Sequence, residues 1–219
     1  MAKTWSADNP KAALMTRKRA AIVGAAREAF LRTGYAEASV NHIAAAAGVS
    51  IKTLYRHFDS KDDLFSAVMQ AACDGPPTAE PLDKADEPPP AWYVSPPGVA
   101  LALAGQEYLH HVLSAEQIDL YRVVTRDAAR FPEVGRRYQA EVVGSREAIF
   151  AGYLDLWIAR EGWTVRDPAA AAQTFAGLLK AGVYEERLLG LAAPDDTDII
   201  ARAASAASRM LILLAAGQF

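Results

Sequence analysis

Apolar residues recur every three to four positions along most of the chain, and no segment alternates convincingly in the two-residue period of a half-buried strand. From Thr16 to Arg32, Ile22, Val23, Ala26, Ala29 and Phe30 form one stripe, with Arg19, Arg27 and Arg32 outside it, and Gly34 supplies the stop. Ser39 is placed to cap a short second helix through Val40, Ile43, Ala44 and Ala47. Gly48 follows where a tight turn needs positive φ. Ser50 caps a third helix whose inward residues, Leu54 and Phe58, lie one turn apart with Val49 in the corner. Two helices joined by a short glycine-containing turn predict a helix-turn-helix. Ser60 and Asp63 form an approximate capping box for a fourth helix, which carries Leu64, Phe65 and Val68 and runs to about Cys73.

The helical pattern then lapses. Asp74 to Gly98 holds eight of the twelve prolines, so this stretch reads as a partly extended loop or linker and marks a domain boundary. Helical spacing resumes over Val99 to Leu113, and over Ala115 to Arg130 behind a second capping box at Ser114 and Gln117. Pro132 forces a break. Glu133 to Val143 and Ser145 to Glu161 are two further helices, or one helix bent near Gly144. Pro168, in the favoured first-turn position, opens a helix that reaches Leu189 before Gly190, and the last helix begins at Asp195 to Thr197 and ends near Gly217. The expected fold class is all-α: a three-helix domain with the helix-turn-helix over residues 14–60, then a larger helical domain over residues 61–219 that contains the proline-rich loop 74–98.

Composition narrows the function. The 219 residues are 52% hydrophobic and 22% charged, which fits a globular helical protein with a sizeable core. Cys73 is the single cysteine, so an intramolecular disulfide framework is excluded and a reducing, cytoplasmic setting is expected. Charges interrupt the N-terminal stretch where an export signal needs an apolar run, and the longest charge-free window, Pro88 to Gln106, contains five prolines; neither a signal peptide nor a membrane span is expected. The net charge of −3 is uneven: residues 1–65 carry ten Lys/Arg against six Asp/Glu, a local +4, and the remainder carries −7. The basic end is the candidate for a polyanion, although such asymmetry also arises by chance in small domains.

The stretch AGVSIKTLYRHFDSKDDLF, Ala47 to Phe65, brings the candidate chemistry together. A helix that reads DNA needs small or polar residues in its first turn, and Ile51, Lys52 and Thr53 occupy that turn behind Ser50. Lys52 suits guanine or a phosphate, and Ile51 suits a thymine methyl. Tyr55, Arg56 and His57 carry donors for phosphate oxygens. Taken one at a time these residues also fit an ordinary surface helix; with the preceding turn, the DNA reading prevails. Lys61 stands in the first turn of a helix, where the macrodipole disfavours a cation by roughly 0.3–1 kcal/mol at an exposed site. A phosphate at that helix N-terminus reverses the sign; the alternative is a solvated lysine paired with Asp62 or Asp63.

The segment RAAIVGAAREAFLRTGYAEASVNHIAAAAGVSIKTLYRHFDSKDDLF resembles the N-terminal domain of the tetracycline-repressor (TetR) family in order, spacing and residue type, from about Thr16 to Val68 without a gap. Phe30, Gly34 and Tyr35, the IAAAAGVS core and TLYRHFDSK carry the resemblance. It implies DNA contacts at Ser39, Asn41, Ser50, Ile51, Lys52, Thr53, Tyr55, Arg56, His57 and Lys61. Many members of that family have a small residue near Lys52 and a tyrosine at Arg56, so the groove chemistry here differs from theirs. YRVVTRDAARFPEVGRRY, Tyr121 to Tyr138, is similar to a segment of many members' C-terminal domains.

The resemblance further implies a C-terminal domain that binds a small-molecule effector, as yet unknown, and forms a homodimer through its last two long helices. Ala169 to Leu189 and Ile199 to Leu214 agree, being poor in charge and rich in alanine. A two-fold dimer presents two reading helices to a palindromic double-stranded operator. Tyr108, His111, Tyr121, Arg122, Arg126, Tyr153 and Trp157 are the effector-binding candidates; Tyr138 and Phe150 belong to the same aromatic set. Arg122 and Arg126 either clamp a carboxylate or pair with Asp119. Trp92 and Tyr93 either cover the pocket or pin the loop. The chain lacks a GxSxG elbow, a P-loop and a GxGxxG fingerprint, so no enzyme, cofactor or metal site is expected. The expected function is a transcriptional repressor released from its operator by the effector; the alternative is a DNA-bound scaffold that recruits a protein partner.

Overall fold

The computed structural model describes residues 10–73 and 95–219. Trp92, Tyr93 and all but the end of the proline-rich stretch lie outside the described residues. Among the described residues every regular element is helical. In chain order these are α1 (Pro10–Glu37), α2 (Val40–Ala46), α3 (Ile51–His57), α4 (Lys61–Cys73), α5 (Pro97–Val112), α6 (Ala115–Asp127), α7 (Pro132–Arg137), a π-helical segment (Tyr138–Val143), α8 (Gly144–Glu161), α9 (Pro168–Lys180), α10 (Val183–Leu188) and α11 (Asp196–Ala215).

The chain divides into two compact units that are not contiguous in sequence: Met1–Cys73 with Asp119–Glu141, and Asp74–Ile118 with Val142–Phe219. In the first unit α1 packs on α2 and α4, α2 on α3, and α4 on α7. Its core is the apolar stripe of α1, with Ile22, Ala26 and Phe30 sealed against Ile43, Leu54, Phe58, Leu64 and Phe65. Phe30 and Phe65 meet edge to face at 5.1 Å, and Tyr35 packs on Phe65 at 5.1 Å and on Phe131 at 5.4 Å in the same way. In the second unit α11 lies along α5, with α9 against both and α8 on α9.

Helix ends follow the local chemistry. Ser50 accepts the Thr53 N–H at 3.1 Å, Ser60 the Asp63 N–H at 3.0 Å, Ser114 the Gln117 N–H at 3.3 Å, and Asp167 and Asp195 cap α9 and α11. Ser39 occupies the capping position of α2, but its side chain makes no capping hydrogen bond. Gly34 interrupts α1 at φ 85°, ψ 174°, and a Cβ there would run into the Arg126 guanidinium.

One expectation is corrected and one open alternative is resolved in favour of a single irregular helix. The helix read from Pro168 to Leu189 is broken after Lys180: Gly182 takes φ 80° and α10 starts afresh, because only glycine reaches that conformation without strain. Around Gly144 the helical run is continuous from Pro132 to Glu161, and its irregularity is the π-helical segment that ends at Val143, just before the glycine.

Candidate nucleic-acid interface

Backbone hydrogen bonds hold the turn between α2 and α3. Ala47 and Gly48 donate to Ile43 and Ala45, and Val49 reaches back to Ala44 at 3.0 Å, with Gly48 at φ 66°. These bonds aim α3. Leu54 and Phe58 are buried beneath it, which rotates Ile51, Lys52, Tyr55 and Arg56 to the outside, at the helical spacing i, i+1, i+4, i+5. Ile51 is 38% exposed and Tyr55 50%, large for apolar or aromatic side chains on so short a helix. Thr53 is tied to Ser50 through its hydroxyl at 2.9 Å as well as its N–H, so the first turn of α3 is rigid before any ligand arrives. Asn41 is exposed on α2 and Ser39 is half-buried.

Cations gather at the far end of α3. Arg19 donates to the His57 carbonyl at 3.4 Å and its guanidinium lies 4.4 Å from the Phe58 ring centre, clamping the helix C-terminus where the macrodipole favours positive charge. The His57 Nε2 is buried without a partner. Desolvation, then the charges of Arg19, Arg56 and Lys18, push its pKa down, so the imidazole is neutral and the positive field is left to those three side chains. Lys18 and Arg19 were not singled out by the sequence pattern as site residues; the basic run Arg17–Lys18–Arg19 on α1 was the available signal.

Lys61 sits differently from the sequence expectation. Its amine donates to the Ala36 carbonyl at 3.1 Å and lies 4.7 Å from the Tyr35 ring centre; among its described partners there is no ion pair with Asp62 or Asp63. Burial lowers its pKa against the opposing charges of Asp127, Glu37 and Asp62. Asp62 is engaged by the Tyr35 hydroxyl, and burial followed by that bond raises the phenol pKa. The ten DNA-contact candidates thus fall into four groups: Ser39 and Asn41 at the start of α2, the capped first turn and exposed face of α3, its C-terminal end at His57, and Lys61 at the start of α4 with part of its hydrogen bonding already used.

The seven effector candidates are divided between the two units. Tyr121, Arg122 and Arg126 belong to the first, where both arginines line a depression of about 350 Å³ with Leu31, Asp119 and Val123. Arg122 pairs with Asp119 at 2.8 Å, and Arg126 lies 3.6 Å from Asp127. Tyr108, His111, Tyr153 and Trp157 belong to the second unit, where Tyr153 and Trp157 are core and His111 contacts Arg146. Sequence reasoning missed Asp127, a buried carboxylate that accepts the Tyr35 N–H at 2.6 Å, and Arg146 and Lys180, which carry charge into the second unit. Among the described residues no cluster of three metal-ligating side chains occurs, and no helix is long and apolar enough to cross a membrane.

Residues 22–68 match the family described as bacterial regulatory proteins, tetR family, and residues 99–215 match the AefR-like transcriptional repressor, C-terminal domain. The HTH-type transcriptional activator FasR of Mycolicibacterium smegmatis is 44% identical over 57 residues, 26% of each chain, so the match spans about a quarter of that relative. The solved structure of the flavonoid-responsive regulator FrrA aligns over 90% of this chain and 96% of its own at 26% identity, with a TM-score of 0.71. A TetR-family regulator from Mesorhizobium loti MAFF303099 covers 91% of this chain and 97% of its own at 21% identity and a TM-score of 0.70, a likeness of fold. With matches at both ends and a helix-turn-helix whose outer face is polar and basic, the chain belongs to the TetR family of DNA-binding transcriptional regulators.

Proposed function

We propose that this protein represses transcription as a homodimer on a palindromic operator and is released by a small-molecule effector. The observation that carries the reading is the outer face of α3, where Ile51, Lys52, Tyr55 and Arg56 stand clear of a buried Leu54–Phe58 underside behind a capped and rigid first turn. Lys52 is positioned by sequence and exposure to read a base or a phosphate, and Arg56, with Lys18 and Arg19 near it, to hold the backbone. The dimer forms through α9–α10 and α11: α11 exposes Ile200 and Ile212 with small side chains, Ala204, Ser205 and Ser208, between them, which lets a second helix approach closely. Repression is favoured by the AefR-like repressor match of the C-terminal segment. Effector and operator weaken each other by linkage, since each binds best to a different conformation.

Selection from a random duplex library, repeated with Arg56→Ala, tests the reading. An enriched inverted repeat that the variant fails to recover supports it. Salt-sensitive binding without enrichment overturns sequence-specific recognition and favours a DNA-bound scaffold. A reporter carrying the selected site then distinguishes repression from activation.

A further inference from the structure

The second unit holds two cations whose charge its own residues do not neutralise at close range. Arg146 on α8 is half-buried, and its Nη2 donates to the Nε2 of His111 at 2.6 Å and to the Oε1 of Gln117 at 2.9 Å. Gln117 is 3% exposed. Neither partner is an anion: an imidazole accepting at Nε2 is neutral, and burial with the adjacent Arg146 pushes the His111 pKa down to about 4. Lys180, on the α9 helix that packs against α8, is also half-buried, and its pKa is lowered first by burial and then by the charge of Arg146. Among the described residues no carboxylate stands within ion-pair distance of Arg146 or Lys180. Glu147 and Glu185 act on Lys180 from farther away, Glu147 accepts a hydrogen bond from Gln173 at 3.2 Å, and Glu116 acts on His111.

Half-buried charge without a close counter-charge carries a desolvation cost, which an anion offsets better than the partial solvent it displaces. The apolar neighbours point the same way. Phe150, one helical turn beyond Arg146, stacks on Phe175 at 5.1 Å, and Lys180 lies 5.6 Å from the Tyr184 ring centre. Three acidic groups at longer range disfavour a doubly charged phosphate more than a singly charged carboxylate.

We propose that Arg146 and Lys180 form the anion-recognition end of the effector site and take the carboxylate of a small aromatic monoanion whose ring packs beside Phe150. This inference rests on the ligand-responsive reading above. The guanidinium Nη1 and Nε, unused by described protein groups, supply the donors, and His111 and Gln117 hold the guanidinium in place from its other side.

Thermal unfolding of the full chain at pH 7 and constant ionic strength tests it, with benzoate against its neutral isostere benzamide and against chloride. Benzoate is expected to raise Tm by about 3 °C as it passes several times its Kd. Benzamide and chloride leave Tm unchanged, and Arg146→Met and Lys180→Met each reduce the benzoate response. Methionine keeps the side-chain volume, and each variant's Tm without ligand, with its far-ultraviolet dichroism, checks that it has folded. No benzoate response in the native chain, an equal response to benzamide, or an undiminished response in both variants overturns the proposal. A parallel operator-release assay separates this from the regulatory reading. Release by neutral aromatics alone removes the anion site and keeps the regulator. A variant-sensitive benzoate response without release by any compound keeps the anion site and counts against effector-driven release.

Discussion

A carboxylate that is 8% exposed and accepts the Tyr35 N–H at 2.6 Å, with Arg126 at 3.6 Å and Lys61 near enough to feel its charge, is a costly group to bury unless each partner stays. Asp127→Asn keeps the shape and removes the charge, so a loss of about 1–2 kcal/mol is expected in urea unfolding, and Asp127→Ala, which orphans the Tyr35 N–H, costs more. An unchanged midpoint in both variants would show that the carboxylate holds nothing. None of this was legible in the sequence, since the bond joins residues 92 positions apart and no local pattern marks either end. Lys61 was legible as an anomaly, a cation in the first turn of a helix, but the sequence could not show that its amine would reach the Ala36 carbonyl. His111 gives a pH test. Its pKa is pushed from an ordinary value near 6.5 down to about 4, so between those values the unfolded chain binds the proton and the folded chain does not. Its contribution is therefore fully present above about pH 6.5 and is lost as pH falls toward 4. His111→Gln is expected to flatten the fall in Tm between pH 7 and 5 without moving it upward.

Helix α3 forms from signals that lie within a few residues of one another, namely a serine cap, an apolar pair one turn apart and a glycine in the preceding turn, and for that reason it was legible before any contact was known. Ser50→Ala removes the acceptor for the Thr53 N–H and the partner of the Thr53 hydroxyl, and about 1 kcal/mol of stability with it. Operator affinity is expected to fall by more than the stability change accounts for, because a frayed first turn displaces Lys52 and Ile51. An affinity that follows the folded fraction alone would mean the turn is not part of the reading surface. The break at Gly182 was hidden by its surroundings: an alanine- and leucine-rich run leads up to it, helix-compatible residues through Leu188 and Leu189 follow, and a single glycine is tolerated in a helix at about 1 kcal/mol. The π-helical turn at Tyr138–Val143 was equally silent, since no residue type marks where i→i+5 bonding replaces i→i+4 for a single turn.

On the scale of the whole chain, residues 1–65 carry +4 and the rest −7, so net positive charge is confined to the segment that contains the helix-turn-helix, where it favours phosphate contacts. Confinement gives the two kinds of contact different signatures. Arg56→Ala is expected to weaken binding to every sequence and lower the slope of log affinity against log salt by about one unit per lost phosphate contact. Lys52→Ala, if the side chain reaches a base edge, changes which sequence is preferred and leaves the slope nearer its original value. Equal losses on all duplexes and equal slopes for both variants would remove that division of labour. The fold class and the reading helix were legible because helical proteins write their elements locally; the grouping of elements into units was not, because it depends on contacts across long intervals of chain.

The interleaving of the first unit bears on how such proteins can diversify. Its core draws on Met1–Cys73 and on Asp119–Glu141, with Asp127 and Phe131 of the later segment meeting Tyr35 of the earlier one. A recombination joint in the proline-rich stretch would therefore pass on a DNA-reading head stripped of part of its own packing. Joining such a head to a new sensor is therefore expected to keep its stability only where the recipient supplies a carboxylate and an aromatic ring at the places of Asp127 and Phe131.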